Sequence, residues 1–127
     1  MDRLVFSPLK VRCILGVTPK ERMKKQVVEV RVAVEFNASH AGKSDRLEDT
    51  VNYPDIVREV VRFVNKSEYK LLEALTENLA RKVLSTFLRI NAVNLSVMKK
   101  GFDMDNLDSV CFEVRRTRSK NNKRIDP

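Results

Sequence analysis

The feature that most constrains the fold of this chain is an alternation of apolar and polar residues along positions 28–36, which only Ala33 interrupts. The apolar positions are Val28, Val30, Val32, Val34 and Phe36, and the charged positions between them are Glu29, Arg31 and Glu35. Successive side chains of a strand point to opposite faces of its sheet, so this period buries one face and leaves the other to water or a partner chain. The segment is therefore predicted to be a long strand of an antiparallel sheet.

Three other segments alternate in the same way. Residues 9–15 precede the long segment and end at Gly16, and residues 93–98 and 110–115 follow it. Each is predicted to be an antiparallel strand with one buried face. Residues 17–23, between the first two strands, are predicted to be a loop.

Between the second and third strands the apolar spacing changes to three and four residues, which is typical of amphipathic helices. One stripe is formed by Ile56, Val57, Val60, Val61 and Val64, and the next by Leu72, Leu75, Leu79, Val83 and Phe87. Pro54 stands at the start of the first helix, where a missing backbone N–H is tolerated. The order strand, strand, helix, helix, strand, strand predicts an α+β fold, with two helices on one face of a four-stranded antiparallel sheet.

The 127 residues are enough for one domain, which we expect to occupy residues 1–116. Most of the net charge of +8 lies at the C-terminal end, because residues 115–127 include six basic residues and one acidic residue. Residues 117–127 are predicted to be a basic, mobile tail. The open edges of such a sheet are a liability unless another chain pairs with them, so the domain is expected to be an oligomer.

Composition argues against several classes of function. No apolar run approaches the ~20 residues of a membrane helix, and the N-terminal apolar stretch is too short for a secretory signal, so a cytoplasmic protein is expected. The basic residues have no interleaved aromatic residues and no nucleic-acid motif, which argues against nucleic-acid binding. Cys13 and Cys111 lie in predicted strands and are expected to be buried, reduced thiols.

Four residues at element ends are candidates for acid–base chemistry. The sequence has no phosphate-binding glycine loop, paired-cysteine metal motif or Ser/His/Asp set, and His40 is its single histidine. Acid–base work would therefore fall to carboxylates, lysine or tyrosine. The candidates are Tyr53, Glu73, Lys99 and Glu21. Each also has a purely structural explanation, such as helix-dipole stabilisation by Glu73, and the residues alone leave that choice open.

Four stretches of the chain form a set whose order matches one known family. They are Gly16-Val17 followed by Glu21-Arg22 and Gln26; Ser44-Asp45 followed by Leu47 and Asp49-Thr50-Val51-Asn52-Tyr53; Leu71-Leu72-Glu73 followed by Leu75; and Lys99 with Gly101 and a last strand ending at Arg115. Across residues 4–116 this set resembles the dihydroneopterin aldolases.

The resemblance implies a tunnelling fold, in which two pairs of antiparallel strands flank two helices and subunits join their sheets into a barrel. It implies a homo-oligomer, either a tetramer or an octamer, with active sites between subunits. It also implies retro-aldol cleavage of dihydroneopterin to hydroxymethyl-dihydropterin and glycolaldehyde in folate biosynthesis, without a metal, a cofactor or a Schiff base. Residues 1–116 would then be a pterin-binding domain.

The same resemblance assigns substrate-binding residues. Glu73 would accept two neighbouring N–H groups of the pterin edge, and the backbone at Leu72 would meet acceptors of the ring. Tyr53 of a neighbouring subunit would cover the ring and shuttle a proton. Val51 stands beside that tyrosine among the substrate-binding residues.

The resemblance makes Lys99 the general base, with Glu21 positioning that lysine or a water molecule. This part of the chain departs from the family pattern, because the aldolases usually have proline after the lysine and this chain has Lys100. Proline would hold the preceding residue extended, so the placement of Lys99 is affected.

Two alternatives remain open at this point. The related dihydroneopterin triphosphate epimerases lack the proline, and a triphosphate would be attracted by basic residues such as Lys100 and Arg22, so 2'-epimerisation is the first. The altered neighbourhood of the lysine leaves a non-catalytic pterin-binding protein as the second. A nucleic-acid role rests on the basic tail alone.

Overall fold

The alternating segment is the longest strand of an antiparallel sheet in the computed structural model, which describes residues 1–101 and 104–118 and the backbone of residues 125–126. The strands are β1 (Asp2–Val5), β2 (Leu9–Cys13), β3 (Gln26–Phe36), β4 (Ala92–Lys100), β5 (Ser109–Arg118) and β6 (Ile125–Asp126). The helices are α1 (Pro19–Met23), α2 (Ser39–Ser44), α3 (Tyr53–Lys66) and α4 (Leu72–Thr86), and Leu47–Asp49 forms a 3-10 turn. The predicted α+β fold is confirmed.

The sheet is organised around β3, which pairs with β4 on one side and with both β1 and β2 on the other. The predicted four-stranded sheet is therefore present, and two strands that were not predicted extend it, β1 beside β3 and the short β6 beside β5. Pro8 lies between β1 and β2, and its missing N–H cannot continue a ladder. β2 also ends at Cys13 rather than at residue 15.

Two helices cover one face of the sheet, as predicted. α3 packs on β2, α4 packs on β4 and β5, and the two helices contact each other. The largest fully buried side chains of this layer include Leu15, Ile56, Leu75, Leu79, Leu84, Ile90 and Leu95. Burial of each such side chain contributes about 1.5–3 kcal/mol to the stability of the fold. The core is thus formed by the apolar residues of the strands, at every second position, and of the helices, at spacings of three and four.

The two covering helices form an antiparallel pair. At one end, the Arg89 guanidinium, which follows α4, donates hydrogen bonds to the carbonyls of Glu48 at 2.7 Å and Asp49 at 3.2 Å, which precede α3. At the other end, the side-chain amide of Asn65 in α3 donates to the Arg12 carbonyl of β2 at 3.2 Å. The first residues of α3 and α4 therefore lie at opposite ends of the domain, separated by about 20 Å, the length of a helix such as α3.

The other face of the sheet is polar, and a three-strand network crosses it. Glu35 Oε2 accepts hydrogen bonds from the Asn94 side-chain amide at 2.7 Å and from Arg115 Nε at 2.8 Å, and Glu35 Oε1 accepts one from Arg115 at 3.0 Å. The side chain of Glu35 is 11% exposed. These bonds, those of Arg115 above all, lower the pKa of the Glu35 carboxyl to about 2. The network ties β3, β4 and β5 together.

The expectation for the cysteines is correct for one of them and wrong for the other. Cys13 is buried, and burial raises the pKa of its thiol, whereas Cys111 is exposed on the polar face. Cys111 Sγ lies 2.7 Å from the hydroxyl of Ser96 on the neighbouring strand. Both cysteines are free thiols. Alternation along residues 110–115 places Cys111 on the face of Glu113 and Arg115, so the error arose from treating cysteine as a buried residue type.

The predicted tail begins inside the sheet. Thr117 and Arg118 belong to β5, and the Arg118 guanidinium donates hydrogen bonds to the carbonyls of Ile90 at 3.1 Å and Phe87 at 3.3 Å. The backbone of β6 pairs with this end of β5. Residues 119–124 and 127 lie outside the described residues. Within 1–101 and 104–118, no helix is long and apolar enough to cross a bilayer.

The substitution Glu35→Gln is expected to lower the free energy of unfolding at pH 7 by about 2 kcal/mol, because it removes a charged partner from a half-buried network. The folded-state pKa of about 2 lies below the ordinary value of 4.5. The stabilising contribution is therefore complete above pH 4.5 and is lost as the pH falls towards 2. Urea unfolding between pH 7 and pH 3 should show less acid destabilisation in the variant than in the wild type.

Glu29→Gln is the matched control, since Glu29 lies on the same strand and faces a solvated partner, Arg31, at 3.5 Å. It should change the unfolding midpoint little. Equal losses in the two variants, or an unaltered pH profile in Glu35→Gln, would contradict the importance given to the network.

Candidate active site

A helix-capping interaction positions the first candidate residue. Thr18 is the N-cap of α1, and its hydroxyl accepts a hydrogen bond from the backbone N–H of Glu21 at 3.1 Å. Glu21 Oε1 in turn accepts the backbone N–H groups of Thr18 at 3.3 Å and Val17 at 3.2 Å. The prediction of a loop here is wrong, although the spacing of Thr18 and Glu21 is the Ser/Thr-x-x-Glu signal of a helix start.

The second oxygen of Glu21 contacts Lys99. The distance between Glu21 Oε2 and Lys99 Nζ is 2.5 Å, and Lys99 is only 9% exposed on the helix-covered face of β4. A buried charge without a partner loses its hydration and gains nothing, so the carboxylate stabilises the lysine at this position. The hydrogen bond from Lys99 is the main cause that lowers the pKa of the Glu21 carboxyl. The structure thus brings two predicted site residues into direct contact.

Gly16 leaves the space that Glu21 occupies. Its φ is +144°, which side chains of L-residues rarely adopt. A Cβ built on this glycine would lie 2.4 Å from Cδ and 2.5 Å from Oε1 of Glu21. The carboxylate can reach both its capping donors and Lys99 only because residue 16 has no side chain.

The start of α4 lies at the same end of the domain. The backbone N–H of Gly16 donates a hydrogen bond to the carbonyl of Tyr69, just before α4, at 3.3 Å. Glu73 is exposed in the first turn of α4, as predicted, and Leu72 is buried at its first position. No side chain among the described residues caps this helix, so the N–H groups of its first turn can meet acceptors of a ligand.

Tyr53 and Val51 lie at the opposite end. Tyr53 is the first residue of α3 and is 59% exposed. Val51 is only 6% exposed, and its side chain belongs to the core. Val51 can therefore offer a ligand its backbone but not its side chain. Within one chain, Tyr53 is separated from Glu73 by about the length of α3, which excludes a site that contains both.

A cavity adjoins Glu21, and its volume of about 540 Å³ is within the range of small-molecule sites. Its lining includes Thr18, Glu21, Gln26, Lys100 and Gly101. Lys100 is exposed and points to the face of β4 opposite that of Lys99, because neighbours in a strand alternate. In the part of the chain that the structure describes, no three His, Cys, Asp or Glu side chains could hold a metal ion together.

Solved structures share this fold. The Escherichia coli dihydroneopterin aldolase in complex with neopterin matches with a TM-score of 0.83 and 26% identity, over 91% of this chain and 99% of that one. The FolB structure from Vibrio cholerae matches with a TM-score of 0.86 and 23% identity, over 93% and 98% of the two chains. These matches place the protein in the α+β class that the solved aldolase structures define, with two helices on one face of an antiparallel sheet.

Sequence comparison then identifies the family. The chain belongs to the dihydroneopterin aldolase family, because the family model described as FolB, dihydroneopterin aldolase, matches residues 4–115. Dihydroneopterin aldolase 1 of Arabidopsis thaliana is 35% identical over 94% of this chain and 86% of its own length. The dihydroneopterin aldolase of Bacillus subtilis is 28% identical over 94% of this chain and its whole length. The resemblance seen in the sequence is confirmed.

The substitution Gly16→Ala is expected to lower thermal stability clearly, by about 1–3 kcal/mol, because the new Cβ would occupy the position of the Glu21 carboxylate in an unfavourable backbone conformation. Differential scanning calorimetry measures this change. Gly42→Ala is the matched control, since a Cβ at Gly42 in α2 meets no atom within 4 Å. Its melting temperature should be unchanged or slightly raised. Equal melting temperatures for both variants would contradict the close packing of Gly16 on Glu21.

Proposed function

We propose that the protein is a dihydroneopterin aldolase that cleaves dihydroneopterin to hydroxymethyl-dihydropterin and glycolaldehyde. The observation that carries this proposal is the 2.5 Å contact between Glu21 and the buried Lys99. This contact lies at the end of the domain where α4 begins, and Glu73 is in the first turn of that helix. Family membership and the names of the relatives support it.

In the proposed reaction, the neutral amine of Lys99, or a water molecule that the lysine holds, removes the proton of the 2'-hydroxyl of the substrate side chain. The C1'–C2' bond then breaks, and C2' and C3' leave as glycolaldehyde. The bonding electron pair forms a C1'=C6 double bond while the C6=N5 π pair moves to N5, which takes up a proton, and the product of this step is an enamine. Protonation of C1' completes hydroxymethyl-dihydropterin. Because the ring imine takes up the electrons, the step needs neither a metal nor a Schiff base. Glu21 stays ionised and orients the Lys99 amine through a charge-assisted hydrogen bond.

Glu73 is proposed to bind the pterin edge. Its exposed carboxylate can accept two neighbouring N–H groups as a fork, and the uncapped N–H groups of the first turn of α4 can meet ring acceptors. This arrangement would fix the ring at one end of the domain, with its side chain directed towards Lys99.

Tyr53 is proposed to come from a neighbouring subunit, where it covers the ring and shuttles the proton to C1'. The separation of Tyr53 from Glu73 in one chain by about 20 Å supports this assignment. The protein would then be a homo-oligomer, a tetramer or an octamer, in which neighbours pair at the open sheet edges. The cytoplasmic location remains a prediction.

The epimerase alternative is not favoured. The Arabidopsis thaliana and Bacillus subtilis relatives carry the aldolase name. Arg22, one of the two basic residues that prompted that alternative, donates hydrogen bonds to the backbone carbonyls of Gly16, Glu68 and Tyr69 and so is engaged within the chain.

The wild-type protein is expected to release glycolaldehyde from dihydroneopterin between pH 6 and 9. Lys99→Ala should lower kcat by about 10²–10⁴-fold while an unreactive pterin still binds, because the base is lost and the ring site is kept. Glu73→Gln should instead weaken pterin binding, by about tenfold or more, because it removes a charged acceptor. Product assays and fluorescence titration with the unreactive pterin separate the two effects.

Lys66→Ala, which removes an exposed lysine of α3, is the control and should behave as wild type. Absence of glycolaldehyde from the wild type throughout the pH range would refute the aldolase proposal. If the wild type bound the pterin without turnover, the non-catalytic alternative would replace it.

Subunit complementation tests the origin of Tyr53. Tyr53→Ala and Glu73→Ala chains are each expected to be inactive alone. If sites lie between subunits, co-folded mixtures of equal amounts should recover up to roughly a quarter of wild-type activity, since one site in four combines two intact residues. If each site lay within one chain, every site in the mixture would lack a residue and no activity would return.

A further inference from the structure

Arg22 joins the two parts of the proposed site that a single chain contributes. It directly follows Glu21 in α1, and its guanidinium donates hydrogen bonds to the carbonyls of Gly16 at 3.2 Å, Tyr69 at 3.1 Å and Glu68 at 2.8 Å. Gly16 belongs to the turn that leads into α1. Glu68 and Tyr69 belong to the connection between α3 and α4, just before the ring-binding turn of α4.

α1 has little else to hold it in place. It is five residues long, and none of them is buried in the described structure, so apolar packing contributes little to its position. Among the described residues, its other long-range side-chain hydrogen bond is the one between Lys99 and Glu21, which connects α1 to the sheet and not to the helix layer. The bond between the Gly16 N–H and the Tyr69 carbonyl is long, at 3.3 Å. The guanidinium is thus the main link between α1 and the start of α4.

The geometry requires arginine rather than a cation of any kind. Three carbonyls from two segments accept from Nη1 and Nη2 of one half-buried guanidinium. A guanidinium presents five N–H donors in a rigid plane, whereas an ammonium is a compact charge on a flexible stem. Lysine at this position would keep the charge but could not hold both segments at the same spacing.

We infer that Arg22 is a positioning residue of the active site, which fixes the spacing between the Glu21–Lys99 pair and the ring-binding start of α4. This inference rests on the proposed function for its catalytic consequence. A substrate held at Glu73 must present its side-chain hydroxyl to Lys99 within hydrogen-bond distance. A displacement of about 1 Å between the two parts is enough to cost up to about 10²-fold in rate.

The test compares Arg22→Lys and Arg22→Gln with Arg81→Lys, a control that makes the same exchange at an exposed position of α4. Arg22→Lys is expected to lower kcat per folded enzyme by about ten- to a hundred-fold, and Arg22→Gln by at least as much. The dissociation constant of an unreactive pterin without the trihydroxypropyl side chain should stay within about twofold of wild type, because that ligand uses only the ring site. Arg81→Lys should match the wild type in both measurements.

A second readout does not depend on turnover. Hydrogen exchange followed by mass spectrometry should be faster in Arg22→Lys in residues 16–23 and 67–70, and unchanged in the middle of α3. If the wild type shows no aldolase activity, the proposed function fails, and exchange alone still decides whether Arg22 couples the two segments. Unaltered exchange in both segments, or a loss of folded protein with unaltered kcat per folded enzyme, would overturn the inference.

Discussion

The contact between the buried Lys99 amine and the Glu21 carboxylate is the interaction on which the candidate site depends. A lysine on the helix-covered face of a sheet is unfavourable unless a carboxylate compensates for its lost hydration. Here the carboxylate comes from a helix with no buried residue, so the same contact that stabilises the lysine also holds α1 against the sheet. One carboxylate oxygen serves this contact and the other completes the helix cap. Local structure and proposed chemistry therefore depend on the same side chain.

The antiparallel arrangement of α3 and α4 limits what one chain can assemble. It places the first turn of α4, with Glu73, at the end of the domain that holds Lys99, and Tyr53 at the far end. In the proposed site, one chain would therefore contribute an amine and two acids but not the phenol. The open sheet edges can pair with another chain, and the proposed site needs a tyrosine from another chain. A symmetric assembly would satisfy both at once, because the same interface would be repeated between neighbouring subunits. In the proposed enzyme, oligomerisation and catalysis would thus share one physical cause.

Much of the fold was predictable because its signals are local. Alternation in β3 and the spacing of three and four in α3 and α4 depend only on neighbouring residues, and hydrophobic burial follows from them. Local signals were also missed, since Thr18 and Glu21 have the spacing of a capping box, and the short strand β1 before Pro8 was not predicted. Periodicity places Cys111 on the same face as Glu113 and Arg115, so the expectation of a buried thiol went wrong because it followed the residue type and not the period.

The sequence by itself determined the element order, the buried face of β3, the first-turn position of Glu73 and, through its resemblance to a family, the residues worth examining. Only the tertiary structure decided which of them meet. Glu21 and Lys99 are 78 positions apart, and Arg22 lies 47 positions from the Tyr69 carbonyl that it binds. Contacts over such separations arise from strand register and helix packing together. A pattern of neighbouring residues specifies each element, whereas the distance between two elements depends on how every layer of the core fits against the next.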